Sequence, residues 1–384
     1  MRIVADANIP YVRDAFGPLG EVVTLPSGEL NAAAVREADL LLVRSTVKVG
    51  AALLEGSRVR FVATATIGVD HLDAAWLDGA GIRWASAPGS NADSVVQWFA
   101  AAMARVPDVA GRQLGIVGVG NVGGRIERLW RALDVAPPLL CDPPRARREG
   151  GAAAATAGAG GARSAFVSLD EILQRCDLVT LHVPLTRAGE DATFHLVDAR
   201  RLRQDAVLVN ACRGEVLDSA SVFAVDNRLL LDVFEGEPSP DPELVARAEV
   251  ATPHVAGHSL DGKANGTKMI YDAACAFVGV TPVWTPRDSL PPAAPTVTVR
   301  ARVDGVPAVL EAVAADYDLA ADDAALRAII AGPPDGRGRA FRKYREDYPE
   351  RRELDGRAVK MALPLPGAIA MLNAYGVRVE PPAR

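Results

Sequence analysis

The chain has 384 residues, 49% of them hydrophobic and 23% charged, enough for two or three globular domains. Its net charge of −6 gives no overall attraction for nucleic acid or anionic lipid, so an anionic ligand would need a local basic pocket. The four cysteines (Cys141, Cys176, Cys212, Cys275) form no C-x-x-C pair, and no apolar run approaches the roughly 18 residues of a membrane span. Free thiols in a reducing cytoplasm are expected, with no metal, membrane or nucleic-acid partner.

The first ninety residues alternate short β-rich runs with helical patterns. "RIVAD" (2–6), "EVVTL" (21–25), "LLLVR" (40–44), "VRFVAT" (59–64) and "IRWAS" (82–86) read as strands, with helical stretches such as 9–19 and 71–80 between them. Such alternation predicts an α/β domain with a mainly parallel sheet. "NADSVVQWFAAAMARV" (91–106) reads as a helix, with Asn91 or Asp93 as its cap. A second α/β series begins at "RQLGIVGVGNVGGRIERLWRAL", and "DLVTLHVPL" (177–185), "AVLVNACRG" (206–214) and "RLLLDVFEG" (228–236) continue it as buried strands. The Ala/Gly-rich stretch 149–162 reads as a flexible surface insertion, because strand–helix alternation resumes on both sides. Past residue 283 the texture turns Pro-rich and then densely charged, which marks a smaller unit over 284–384.

"GIVGVGNVGG" contains Gly118, Gly120 and Gly123 in G-x-G-x-x-G spacing, with Asn121 and Val122 between the last two. The motif is weak alone, but here an apolar strand leads in and a helix pattern follows. Gly118 would permit the tight turn, Gly120 the approach of a pyrophosphate, and Gly123 close packing of helix on strand. A following strand, "PPLLCD", ends in Asp142. A carboxylate there would bond the adenosine ribose and repel a 2′-phosphate, favouring NAD over NADP. The nearby Arg145, Arg147 and Arg148 weaken that preference.

Three ionisable residues each follow an apolar strand: Arg213 after "AVLVNAC", Glu237 after "LLLDVFEG", and His254 after "EVAT". In open α/β sheets ligands bind at the carboxyl ends of the strands. Removing a hydride from a secondary alcohol needs a base for the hydroxyl proton, and a neutral imidazole suits that task. A carboxylate beside the imidazole would raise its pKa and fix its tautomer. An arginine would hold a substrate carboxylate and polarise the C2 oxygen. "VRSTVK" (43–48) gathers Arg44, Ser45, Thr46 and Lys48, and "TATIGVDH" (64–71) is a small-residue turn. Both suit an anion. His71 reads as a helix-start residue, His182 as either structural or crevice-lining, and His195 as surface.

"NACRGE", "LDVFEGEP" and "TPHVAGH" resemble the signatures of the D-2-hydroxyacid dehydrogenases. The resemblance extends through "IVADANIPYVRDAFGPLGEV", "LLVRSTVKV", "FVATATIGVDHLD", "GIVGVGNVGGR", "LLCDPPRA", "HVAGHSLDGKANGT" and "RKYREDYPERRE", so it covers most of the chain. It is strongest to family members that oxidise 4-phospho-D-erythronate in pyridoxal phosphate synthesis. It implies two doubly wound parallel-sheet domains, Rossmann-like and flavodoxin-like, plus a C-terminal α+β dimerisation domain. The implied boundaries are 1–93 with 257–283 for substrate, 94–256 for NAD, and 284–384 for a homodimer contact. By resemblance, Arg213, Glu237 and His254 are catalytic; Arg44, Ser45, Thr66 and His258 meet a small phosphorylated 2-hydroxy acid. The Gly118–Gly123 loop, Asp142, Val183, Asp232 and Gly257 meet NAD.

The sequence departs from the family pattern at four places. His258 stands where the family commonly has Tyr, and Val183 where it has a cofactor-contacting Thr. The segments 93–114 and 218–232 are each about five residues short. The second leaves "SASVFAVDN" about two turns of helix for a parallel crossover, near the minimum such a connection needs. That brevity predicts a pulled or shortened strand before Asp232 and puts the meeting of Glu237 with His254 at stake. Two other readings stay open: a dehydrogenase for another 2-hydroxy acid, phosphoglycerate-like, and a catalytically weak NAD(H)-sensing interaction protein.

Overall fold

The computed structural model describes residues 1–156, 166–291, 296–299, 305–315, 317–354, 358–361 and 366–380, without the side chains of 150–156. Contacts divide the chain into two compact units. The first holds Met1–Ala92, His258–Ala293 and Glu350–Glu353; the second holds Asp93–Gly257, Ala294–Pro349 and Leu354–Arg384.

The first unit is built on five parallel strands: β1 (Arg2–Asp6), β2 (Glu21–Leu25), β3 (Leu40–Val43), β4 (Phe61–Thr64) and β5 (Arg83–Ala85). Their order is β2-β1-β3-β4-β5, the flavodoxin-like arrangement. Every residue of β3 and β4 is buried, which is why they read as unbroken apolar runs with no alternation. The helix Leu260–Val278 returns to this unit and is capped by the Ser259 side chain on the Gly262 N–H. Its Ile270, Tyr271 and Ala274 join Ile3, Phe16 and Phe61 in one apolar cluster.

The second unit holds six parallel strands: β6 (Leu114–Val117), β7 (Leu139–Cys141), β8 (Leu178–Leu181), β9 (Val207–Asn210), β10 (Arg228–Leu231) and β11 (Val250–Ala251). Their order is β11-β10-β9-β8-β6-β7, so the winding reverses between β6 and β8, the usual ligand position of a doubly wound sheet. Side chains alternate between faces. Val207 and Val209 enter one apolar cluster with Phe99 and Trp130, while Leu208 enters another with Leu231 and Phe234. Both clusters recruit the C-terminal chain: Val309, Leu310 and Leu372 the first, Leu326, Ile330 and Phe341 the second. A small parallel sheet, β12 (Val297–Val299), β13 (Ala358–Met361) and β14 (Arg378–Glu380), completes this unit.

Three expectations change. The helix Ala92–Met103 stops short of residue 106, ahead of Pro107. The helix Pro143–Thr156 takes in the first half of the Ala/Gly-rich stretch, so that half is not an irregular insertion; 157–162 lie outside the described residues. The crossover between β9 and β10 is a 3-10 helix, Ser219–Ala224, rather than two α-helical turns. A 3-10 helix rises about 2.0 Å per residue against about 1.5 Å for an α-helix, so six residues cover about 12 Å instead of about 9 Å. The extra reach absorbs the missing length. β10 keeps a full register on β9, from Arg228↔Val207 to Leu231↔Asn210, and is neither pulled nor cut short there.

Among the described residues no helix is long and apolar enough to cross a membrane, no group of three or more His, Cys, Asp or Glu converges as a metal site would, and the four cysteines are unpaired.

One polar hub lies in the C-terminal chain. Asp322 is 4% exposed and accepts hydrogen bonds from Tyr317 (2.6 Å), Tyr344 (2.6 Å) and Tyr348 (2.8 Å). It ties the helix Leu319–Ala331 to the helix Pro334–Glu346. Asp322→Ala would leave three hydroxyls without their acceptor, at about 3 kcal/mol. The expected result is a thermal midpoint lower by several degrees. A shift within error would mean the hub contributes nothing to stability.

Candidate active site

β6 runs into the glycine loop. Gly118 has φ +87°, and a Cβ there would lie 2.5 Å from the His182 carbonyl oxygen and 2.8 Å from Val183 Cγ1. A Cβ on Gly123 would lie 2.0 Å from the Gly118 carbonyl oxygen. Both positions therefore exclude a side chain. Gly120 differs: a Cβ there meets nothing within 4 Å, so the backbone is open in front of the helix Asn121–Ala132. A closed turn, an open glycine and a helix N-terminus are what a pyrophosphate needs, and the chain fits NAD on that observation. Asn121 is exposed and Val122 half-buried at the start of that helix. Val183 packs on Gly118.

Asp142 follows β7. Its carboxylate accepts from the Val119 N–H (2.9 Å) and the Arg145 N–H (2.9 Å), tying the glycine loop to the next helix. Arg145 bonds Glu149 and the Val119 carbonyl, and Arg147 bonds Asp191. These two cations are thus engaged by protein acceptors, which weakens the case for a 2′-phosphate beside Asp142.

At the end of β9 the fully buried Asn210 organises the turn that carries Arg213. Its Nδ2 donates to the Arg213 carbonyl (2.9 Å), and its Oδ1 accepts from the Cys212 N–H (3.1 Å). Gly214 shows why a glycine follows the arginine. A Cβ there would lie 1.9 Å from the Phe234 carbonyl carbon and 2.2 Å from the Glu235 nitrogen. Backbone lies on backbone, which brings the Arg213 turn against the segment leading to Glu237. Cys212 is no nucleophile, since burial pushes its thiol up to about 11.

Past β10, Glu237 Oε1 accepts from the Phe234 N–H (2.8 Å), and Oε2 lies 2.7 Å from His254 Nδ1. Burial would raise the Glu237 carboxyl, but the His254 charge and hydrogen bond, the Phe234 N–H and Arg345 outweigh it, leaving the pKa below the ordinary value. An ionised carboxylate only accepts, so Nδ1 is the donor to Glu237 and Nε2 is the ring nitrogen left to exchange a proton. The feared separation of Glu237 from His254 does not occur.

His254 itself has φ +57°, a left-handed conformation that costs a non-glycine residue about 1–2 kcal/mol. Asp232 over-determines it. The Asp232 carbonyl accepts from the His254 N–H (2.7 Å). Its carboxylate accepts from Thr252 Oγ1 (2.6 Å) and from the N–H groups of Val255 (2.9 Å) and Ala256 (3.0 Å). Charge-assisted bonds of about 1.5–3 kcal/mol each exceed the strain. Asp232 is 1% exposed, and burial lifts its carboxyl to about 6, against the His254 charge and those hydrogen bonds. The residue expected at NAD thus works as the keystone of the His254 turn. Gly257 ends that turn and is the last residue of this stretch of the second unit. His182, bonded to Thr180 Oγ1 (2.8 Å) and pushed down to about 3 by burial, stays neutral. His195 stacks on Phe194, with ring centroids 4.0 Å apart.

The other predicted residues lie in the first unit. Arg44 and Ser45 follow β3, and Thr66 follows β4. Thr66 Oγ1 is 2.7 Å from Thr64 Oγ1, which is 2.9 Å from His71 Nε2; burial pushes His71 down to about 4 against the pull of Asp70. His258 is half-buried, and its carbonyl accepts from Arg351 Nε (3.2 Å).

Sequence reasoning missed two residues. Lys263, in the first turn of the helix Leu260–Val278, lies on the face that approaches β4: one turn on, a Cβ at Gly266 would be 2.9 Å from the Ala65 carbonyl oxygen. β3 and β4 are paired at Val43↔Thr64, so Arg44 and Ala65 are neighbours. Burial and the Arg44 charge lower the Lys263 pKa, with Glu350 opposing. A cation in the first turn of a helix opposes the helix dipole, and that was the available signal. Arg345 donates from Nε to the His254 carbonyl (3.2 Å); nothing in the dense charge of "RKYREDYPERRE" singles it out.

Glu237→Gln removes the anion at Nδ1, so the His254 imidazole should titrate at lower pH than in the parent protein. NMR of the labelled ring reads this directly, and an unmoved titration would refute the pairing.

Residues 90–256 match the family model of the D-isomer specific 2-hydroxyacid dehydrogenase NAD binding domain, and 290–376 match a domain of unknown function, DUF3410. The chain is similar to an erythronate-4-phosphate dehydrogenase of Pseudomonas savastanoi pv. phaseolicola, 43% identical over 98% of this chain and 99% of that one. It is also similar to one of Salinibacter ruber, 44% identical over 94% of each. NAD+-bound 3-phosphoglycerate dehydrogenase of Entamoeba histolytica shares the fold, with a TM-score of 0.59 at 20% identity over 73% of this chain and 95% of that one. With those relatives matched almost end to end and a glycine loop that fits NAD, the chain belongs to the D-2-hydroxyacid dehydrogenase family.

Proposed function

We propose that the chain oxidises 4-phospho-D-erythronate to (R)-3-hydroxy-2-oxo-4-phosphooxybutanoate with NAD, in pyridoxal phosphate synthesis. The observation that carries the reading is the 2.7 Å contact of Glu237 with His254 Nδ1, beside the Arg213 turn and in the same sheet as a glycine loop open for a pyrophosphate. The near full-length similarity to erythronate-4-phosphate dehydrogenases supports the substrate.

Each residue has one task. Arg213 holds the substrate carboxylate and polarises the C2 oxygen. His254 Nε2 takes the C2 hydroxyl proton, and Glu237 stabilises the imidazolium that results. Bound NAD supplies the hydride acceptor. The loop Gly118–Gly123, Asp142, Val183 and Gly257 hold the cofactor, and Asp232 supports it by fixing the turn that ends at Gly257. Ser45, Thr66 and His258 contact substrate. Arg44 and Lys263 hold its phosphate: burial and the Arg44 charge lower the Lys263 pKa, and an anion would relieve the repulsion between the two cations. The domain reading follows: 1–93 with 257–283 for substrate, 94–256 for NAD, and 284–384 for a homodimer contact, in the cytoplasm.

The purified protein should reduce NAD with 4-phosphoerythronate and far less with 3-phosphoglycerate. Absence of turnover with NADH binding intact would favour an NAD(H)-sensing protein instead. His254→Gln should lower kcat by about 10²–10⁴-fold. Lys263→Met should raise KM for the phosphorylated substrate about 10- to 100-fold and leave KM for NAD within twofold; an unchanged substrate KM would remove Lys263 from the phosphate site.

A further inference from the structure

The helix Pro334–Glu346 reaches the chain segments that carry both members of the acid–base pair. A Cβ on Gly338 would lie 2.8 Å from Ser239 Oγ and 3.4 Å from Pro238 Cγ, so this helix lies against the residues that follow Glu237. One turn on, Phe341 is fully buried, and the Arg345 guanidinium carbon lies 5.9 Å from the centroid of its ring. That contact restricts the arginine before it meets anything else. From there Arg345 Nε donates to the His254 carbonyl (3.2 Å).

We propose that Arg345 is a positioning residue for His254: its guanidinium holds the His254 carbonyl, keeps that residue in its left-handed conformation, and so aims Nε2. The inference rests on the reading of His254 as the proton acceptor. The N–H groups of the turn are already committed to Asp232 and Thr252, and the His254 carbonyl is held from the other side by Arg345. The His254 N–H goes to Asp232 and Thr252, and the next two N–H groups go to the Asp232 carboxylate. Arg345 adds a constraint on the carbonyl side. Without it the carbonyl can swing, and the ring swings with it. A small misplacement of a reacting group costs orders of magnitude in rate.

The charge of Arg345 gives a second handle. The groups that face the imidazole are Glu237 through Nδ1, Asp232 beneath the turn, and Arg345. The two carboxylates favour the imidazolium; the guanidinium opposes it. Removing Arg345 therefore shifts the imidazole in the direction opposite to removing Glu237.

Arg345→Met keeps the apolar stem on Phe341 and removes the donor and the charge; Arg345→Lys keeps the charge without the planar fork. In Arg345→Met, kcat should fall about 10- to 100-fold while the dissociation constant for NADH, read by fluorescence, stays within twofold. The acid limb of kcat/KM should move to higher pH, and NMR of the labelled His254 ring should show the same upward shift. Arg345→Lys should keep the parental ring titration and recover part of kcat. Parental kcat in Arg345→Met, or an unmoved ring titration, overturns the proposal. So does equal loss in both variants together with weakened NADH binding, which marks a merely structural residue. The ring titration needs no turnover, so it stands even if 4-phosphoerythronate proves not to be the substrate.

Discussion

A buried carboxylate organises the reactive end of this protein. Asp232 leaves water at the end of β10 and commits both of its carboxylate oxygens to the turn that follows β11. Desolvating a carboxylate is unfavourable, and burial lifts its pKa to about 6 even against the His254 charge and the hydrogen bonds it accepts. Three hydrogen bonds offset the cost only if Thr252, Val255 and Ala256 are all in place. The turn between them is then locked, with His254 in a backbone conformation it would not choose alone. Trp98 extends the lock from the other side, donating from Nε1 to Thr252 Oγ1 (3.0 Å).

Much of this was legible in the sequence. The strand ends were readable because fully buried parallel strands leave apolar runs such as "LLLV" and "VLVN". The glycine loop was readable because steric exclusion leaves only glycine at Gly118 and Gly123. Arg213, Glu237 and His254 were readable as charges at homologous strand ends. What the sequence could not carry was the direction in which a buried carboxylate points. Asp232 was placed at the cofactor by resemblance alone; the N–H groups of Val255 and Ala256 show its oxygens turned inward.

The crossover was misjudged for a different reason. Counting residues assumes an α-helical rise, and the chain uses a 3-10 helix, N-capped by the Asp218 side chain on the Ala220 N–H. Lys263 and Arg345 escaped because their significance lies in what they approach. The first stands near Arg44, from a helix more than two hundred positions later; the second bonds a carbonyl, a group that every residue possesses. Composition and spacing are blind to both.

The close approach at Gly214 fixes how this part of the chain can vary. Arg213 and Glu237 keep their spacing because β9 and β10 are pinned in register and because one backbone rests on the other at Phe234. The connection between the strands is held by anchors of its own: Val222 is fully buried, Ser221 Oγ accepts from the Ala199 N–H, and Asn227 Nδ2 donates to the Arg203 and Ala206 carbonyls. What matters is that those anchors are met, and a 3-10 rise lets a short segment meet them between Asp218 and Arg228 while the reactive geometry stays intact. A gap in that stretch of an alignment says little about loss of activity, whereas a β-carbon at position 214 would say a great deal.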